Sequence, residues 1–100
     1  MDPDLPEFMI ADVVKSLAGR DAGKLYYVLD TEGDYLILAN GKDRSLEKPK
    51  RKKRKHACKV LRSETRVAEK LRNGDKVLNS ELRRDLAYHS QEMQSKASGG

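Results

Sequence analysis

Residues 12–30 read DVVKSLAGRDAGKLYYVLD: an aliphatic run, a turn with a glycine near each end, and a run rich in aromatic and β-branched side chains. From Ile10 to Ala18 the chain is mostly aliphatic, and Val14, Ser16 and Ala18 share one face if it is a strand. Gly19 and Gly23 bracket Arg-Asp-Ala, a turn in which both glycines permit positive φ. KLYYVLDT, 24–31, predicts a second strand closed by the turn at Glu32–Asp34. Tyr35 to Ala39 predicts a third, ended by Asn40-Gly41. Three short strands at this spacing predict an antiparallel meander.

The second strand is apolar on both faces, with Leu25, Tyr27 and Leu29 on one and Tyr26 and Val28 on the other. A sheet with one face in water does not fit that pattern, so another element must cover the second face. The C-terminal part supplies two helices. Ser63 is a candidate cap for one that runs to about Leu71, with Val67 and Leu71 at i, i+4 and Asn73-Gly74 as its stop. Asn79 or Ser80 starts a longer one with Leu82 and Leu86 on one stripe. HACKVL, 56–61, predicts one more strand, with His56, Cys58 and Val60 on one face. The fold class expected is mainly β with C-terminal α. Residues 1–8 read as a flexible acidic lead-in, 9–93 as one domain and 94–100 as a disordered tail.

One hundred residues suffice for one modest core, and 37% hydrophobic content with no Trp and one Phe makes that core small and aliphatic. The net charge of +5 is unevenly placed. Lys48–Lys59 holds eight Lys/Arg and no acid, which leaves 13 Lys/Arg against 16 Asp/Glu elsewhere. Focused charge recruits a polyanion better than the same charge spread out, because several phosphates are neutralised together. Like-charge repulsion also predicts that this segment is an extended, solvated arm or loop, over 48–59. PKRKKRK, 49–55, additionally matches a nuclear import signal. The lone Cys58 excludes an internal disulfide and fits a reducing compartment. No stretch approaches the roughly 18 apolar residues of a membrane span, and the N-terminus lacks a signal-peptide pattern, so a cytoplasmic protein is expected.

In the turn GRDAGK the glycines let backbone N–H groups approach a phosphate, and Arg20 and Lys24 flank the same spot. Asp21 has a structural part, bonding turn amides. The candidate phosphate contacts are Arg20 and Lys24 in the turn, Lys42 and Arg44 in the next loop, and Lys48, Lys50, Arg51, Lys52, Lys53, Arg54 and Lys55 in the basic run, followed by His56 and Lys59. Tyr27 or Tyr35 is a candidate platform for a base, though burial competes for the tyrosines. His56 and Cys58 lack the further ligands a zinc site needs, and no carboxylate pair or nucleophile stands in a catalytic pattern. No cofactor, no metal, no small-molecule substrate and no catalytic residue is expected.

Asp12, Val14, Gly19, Arg20, Asp21, Gly23, Lys24 and Val28 stand as they do in the KOW motif, the strand–turn–strand unit of ribosomal proteins and transcription elongation factors. EKPKRKKRKHACKV followed by KLRNGDKVLNSELRRDL is similar to small bacterial KOW-domain RNA-binding proteins related to archaeal and eukaryotic large-subunit ribosomal proteins. The resemblance covers about residues 10–86, and Tyr26 stands where many KOW sequences have a third glycine. It implies an SH3-like barrel followed by one or two helices, in a monomer that binds RNA, ribosomal RNA or the ribosome foremost. The alternative is a KOW-type protein-interaction module of the translation or transcription machinery, localised by the basic run. Double-stranded DNA is a third ligand class.

Overall fold

A computed structural model describes residues 7–98. Its strands are β1 (Asp12–Ser16), β2 (Leu25–Glu32), β3 (Tyr35–Ala39), β4 (Lys50–Lys53) and β5 (Ala57–Arg62), with a 3-10 turn over Arg54–His56. Two helices follow, α1 (Arg66–Asn73) and α2 (Asn79–Ser98). All pairings are antiparallel, in the order β4-β3-β2-β1-β5. β4 and β5 are the two edges and do not pair with each other, so the sheet is not closed into a barrel by backbone bonds. The mainly-β meander with C-terminal helices follows the sequence expectation. β4 does not: the most highly charged part of the chain is a strand.

The two faces of β2 build two cores. Tyr26 and Val28 pack with Phe8, Val14, Leu36, Leu38 and Ala57 inside the curl of the sheet. Tyr27 faces Ala11, Val13 and Ala39 together with Val67 and Ala68 of α1 and Leu82 and Leu86 of α2. The helices are therefore the cover that the doubly apolar strand requires. Each fully buried Leu or Val contributes about 1.5–3 kcal/mol, so neither core is dispensable in so small a domain. Phe8 is only 4% exposed, so the expected lead-in over 1–8 gives way to core at its last residue; residues 1–6 lie outside those described.

Local chemistry sets the ends of the helices. Thr65, not Ser63, caps α1 by accepting the Ala68 N–H at 3.3 Å, and Gly74 ends it with φ +75°. Ser63 is two residues too early, and its hydroxyl is engaged in the core. Hydrogen bonds from Leu78 N–H to Glu81 Oε1 at 3.1 Å and from Lys70 to Glu81 at 2.9 Å fix the start of α2 against α1. α2 continues to Ser98, through most of the stretch from 94 for which composition predicts disorder; residues 99–100 lie outside those described. In β5 a register shift opposite Val13/Val14 breaks the alternation predicted for HACKVL. Cys58 is exposed, whereas Val60 is half-buried.

Candidate nucleic-acid interface

The β1–β2 turn aims one carboxylate inward. With Gly19 at φ +82° and Gly23 at φ +90°, the turn places Asp21 at 7% exposure, within hydrogen-bond reach of Tyr26 of the inner core. Ser16 Oγ donates to it at 3.0 Å and the Tyr26 hydroxyl at 3.1 Å. From β4, the Lys50 ammonium pairs with Asp21, and Lys52 Nζ lies 3.4 Å from its Oδ1 while donating to the Ala18 carbonyl at 3.1 Å. Burial alone would raise the pKa of Asp21, but the Lys50 ammonium and the Ser16 and Tyr26 hydroxyls outweigh it and hold the carboxyl well below the usual carboxylate range. Tyr26 is pushed up to about 12, by burial first and then by its bond to Asp21.

One expectation is corrected here: the basic run is not a free arm, because it forms a strand whose repulsion is offset by a counterion on a distant turn. Lys50 and Lys52, two of the expected phosphate contacts, are engaged with Asp21. Strand alternation sends them to the Asp21 side, where Lys52 is 8% exposed, and sends Arg51 and Lys53 outward. Leu17 N–H also bonds the His56 carbonyl at 2.9 Å, so the end of β1 grips the 3-10 turn.

The remaining sequence candidates divide by their engagements. Lys24 pairs with Asp43 at 2.8 Å, and both are well exposed, so solvent screening leaves the pair weak and it yields readily to a stronger anion. Arg51 stands 3.6 Å from Glu32, and Lys59 3.1 Å from the fully buried Asp12. Arg54 is half-buried, donating from Nε to the Gly33 carbonyl at 2.7 Å and from its backbone N–H to Asp34 O at 2.8 Å. His56 is half-buried in the turn. Arg20, Lys42, Arg44, Lys48, Lys53 and Lys55 are exposed, and among the described residues none of the six has an ion-pair partner.

Two recesses take in three of the six, Lys42 in one and Lys53 and Lys55 in the other, whereas Arg20, Arg44 and Lys48 line neither. One, of about 400 Å³, lies between the β1–β2 turn, the β3–β4 loop and α2, and is lined by Lys24, Lys42 and Arg83, with Asp43 as the acid. Arg83 escapes a sequence reading that follows only the Leu82/Leu86 stripe; the Arg-Arg pair beside that stripe is the available signal. The loop reaches α2 because Gly41, φ +76°, leaves room for the Asn79 carbonyl, which a Cβ would overlap. Asn79 Oδ1 in turn accepts the Leu46 N–H at 2.8 Å. The second recess, of about 380 Å³, is lined by Asp34, Tyr35, Lys53, Arg54 and Lys55.

Beneath the helices lies a buried polar cluster. The Tyr27 hydroxyl donates to Asp85 and lies 2.8 Å from Ser63 Oγ, which is 3.0 Å from His89 Nε2. Thr65 Oγ1 donates to Asp85 at 2.8 Å. Serine, histidine and aspartate meet here, yet one ring nitrogen, Nε2, faces both Ser63 and Asp85, the latter at 3.5 Å. A nucleophile relay needs opposite ring nitrogens for its two partners. With Tyr27 at 0% and Ser63 at 1% exposure, the cluster pins α2 to the sheet. Tyr27 is thereby removed as a base platform, and only Tyr35 keeps that option. Among the described residues no group of three or more His, Cys, Asp or Glu could hold a metal ion. No helix among them is long and apolar enough to cross a membrane.

Compared with protein-family models and with curated proteins, the chain gives no match.

Proposed function

We propose that this chain is a non-catalytic RNA-binding module of the KOW type, with an SH3-like barrel, acting as a monomer in the cytoplasm and holding structured RNA, ribosomal RNA foremost, through phosphate contacts. The six sequence candidates that are exposed and have no carboxylate partner among the described residues, set beside Lys24 and Arg51 whose surface pairs are weak, carry this reading. A polyanion is the ligand that such a surplus selects, since each phosphate met releases counterions. The strand order β4-β3-β2-β1-β5 and the ion pairs that join Lys50 and Lys52 of β4 to Asp21 in the β1–β2 turn support the barrel assignment. Because phosphate contacts position and base edges specify, affinity is better encoded here than selectivity.

The test is a variant with Lys42, Lys53 and Lys55 changed to Gln, none of which has an ion-pair partner among the described residues. Its far-ultraviolet circular dichroism should match the parent, and its affinity for a structured ribosomal RNA fragment should fall at least tenfold. Unchanged affinity in a folded variant would refute the assignment.

A further inference from the structure

The outer face of the β3–β4 hairpin belongs to neither core and combines a half-buried aromatic ring with cations. Tyr35 and Ile37 of β3 alternate outward from the buried Leu36 and Leu38. Across the ladder Tyr35 is paired with Lys53, and Ile37 with Arg51. The Arg51 guanidinium sits 4.4 Å from the centre of the Tyr35 ring. Tyr35 lines the 380 Å³ recess, and Arg51 does not. On the recess side, Lys53 and Lys55 are exposed and Arg54 is held in place by the β2–β3 turn.

The geometry points to a stacking site for an unpaired nucleotide: the base enters the recess against Tyr35, and its flanking phosphates meet Lys53 and Lys55. This deepens the RNA-binding reading above and rests on it. A guanidinium stacked on one side of a ring holds the ring still and polarises it, which lowers the cost of ordering a platform for a base on the other side. Stacking between neighbouring pairs conceals the faces of bases inside a duplex, so this site takes single-stranded segments, loops or bulges. A phosphate-only surface would need no ring at this position.

Two variants test it. Tyr35→Leu keeps apolar cover but removes the flat ring; Tyr35→Trp keeps a ring and introduces the chain's single tryptophan, since the sequence has none. The probes are a single-stranded oligoadenylate, an RNA duplex with the same number of phosphates, and inorganic polyphosphate. Tyr35→Leu should weaken oligoadenylate binding about tenfold, the order expected for one stacked base, and leave duplex binding unchanged. Oligoadenylate should quench the new tryptophan emission and polyphosphate should not. Parent-like oligoadenylate affinity in Tyr35→Leu, equal losses on both RNAs, or equal quenching by polyphosphate would each overturn the stacking site while leaving phosphate binding in place. If the parent chain binds neither RNA, the RNA-binding reading itself falls and takes this site with it.

Discussion

Lys52 and Asp21, 31 residues apart in sequence, are both under a tenth exposed in their side chains, and Nζ lies 3.4 Å from Oδ1. This buried pair, with Lys50 beside it, ties the basic strand to the glycine turn. It thereby decides which cations of the run face water.

Removing the acid leaves a buried ammonium without its counterion. Asp21→Asn should destabilise the domain by about 3 kcal/mol in urea unfolding. Lys53→Gln, at an exposed position of the same strand, should stay within about 0.5 kcal/mol of the parent. Equal effects would show that β4 is not anchored through Asp21.

The same carboxylate sets an acid dependence. Its folded pKa lies well below the ordinary value of 3.8, so the stability it contributes is complete above that value and is lost as pH falls through the folded one. The stability gap between the parent and Asp21→Asn should be flat from neutral pH to about pH 5 and narrow below about pH 4. A gap that grows on acidification would contradict the assignment.

Gly41 and Gly33 both have positive φ, yet only Gly41 is pressed against α2. Gly33→Ala should cost about 1–2 kcal/mol for the left-handed backbone alone. Gly41→Ala adds a clash with the Asn79 carbonyl and should cost clearly more, with faster amide exchange at the start of α2.

In the polar cluster, Tyr27→Phe deletes one of the two hydroxyl donors to Asp85, the other being Thr65. A loss of about 1–3 kcal/mol is expected, read by thermal unfolding, with local loss of exchange protection in α2 and not in β3.

The sequence discloses the meander through its glycine turns, and the doubly apolar β2 announces that helices must cover it. Leu82 and Leu86 fall where their spacing puts them. β4 stays hidden because KRKK offers no apolar alternation, and the alternation that exists, inward for Lys50 and Lys52 and outward for Arg51 and Lys53, becomes visible only once Asp21 is placed beneath it. Ser63 misleads as a cap because a hydroxyl near a helix start reads alike whether it bonds a backbone N–H or, as here, Tyr27 and His89 in the core. The outward set of cations is accordingly smaller than the charge run suggests, and it includes Arg83 from outside that run.

Salt dependence tests the phosphate-contact claim most directly. With about five phosphates met, log affinity for RNA should fall against log salt with a slope of roughly −3.5 to −4.5, and Lys53→Gln should make it shallower by about 0.7–0.9. A slope near zero, or no binding even in dilute buffer by a folded chain, would contradict the account.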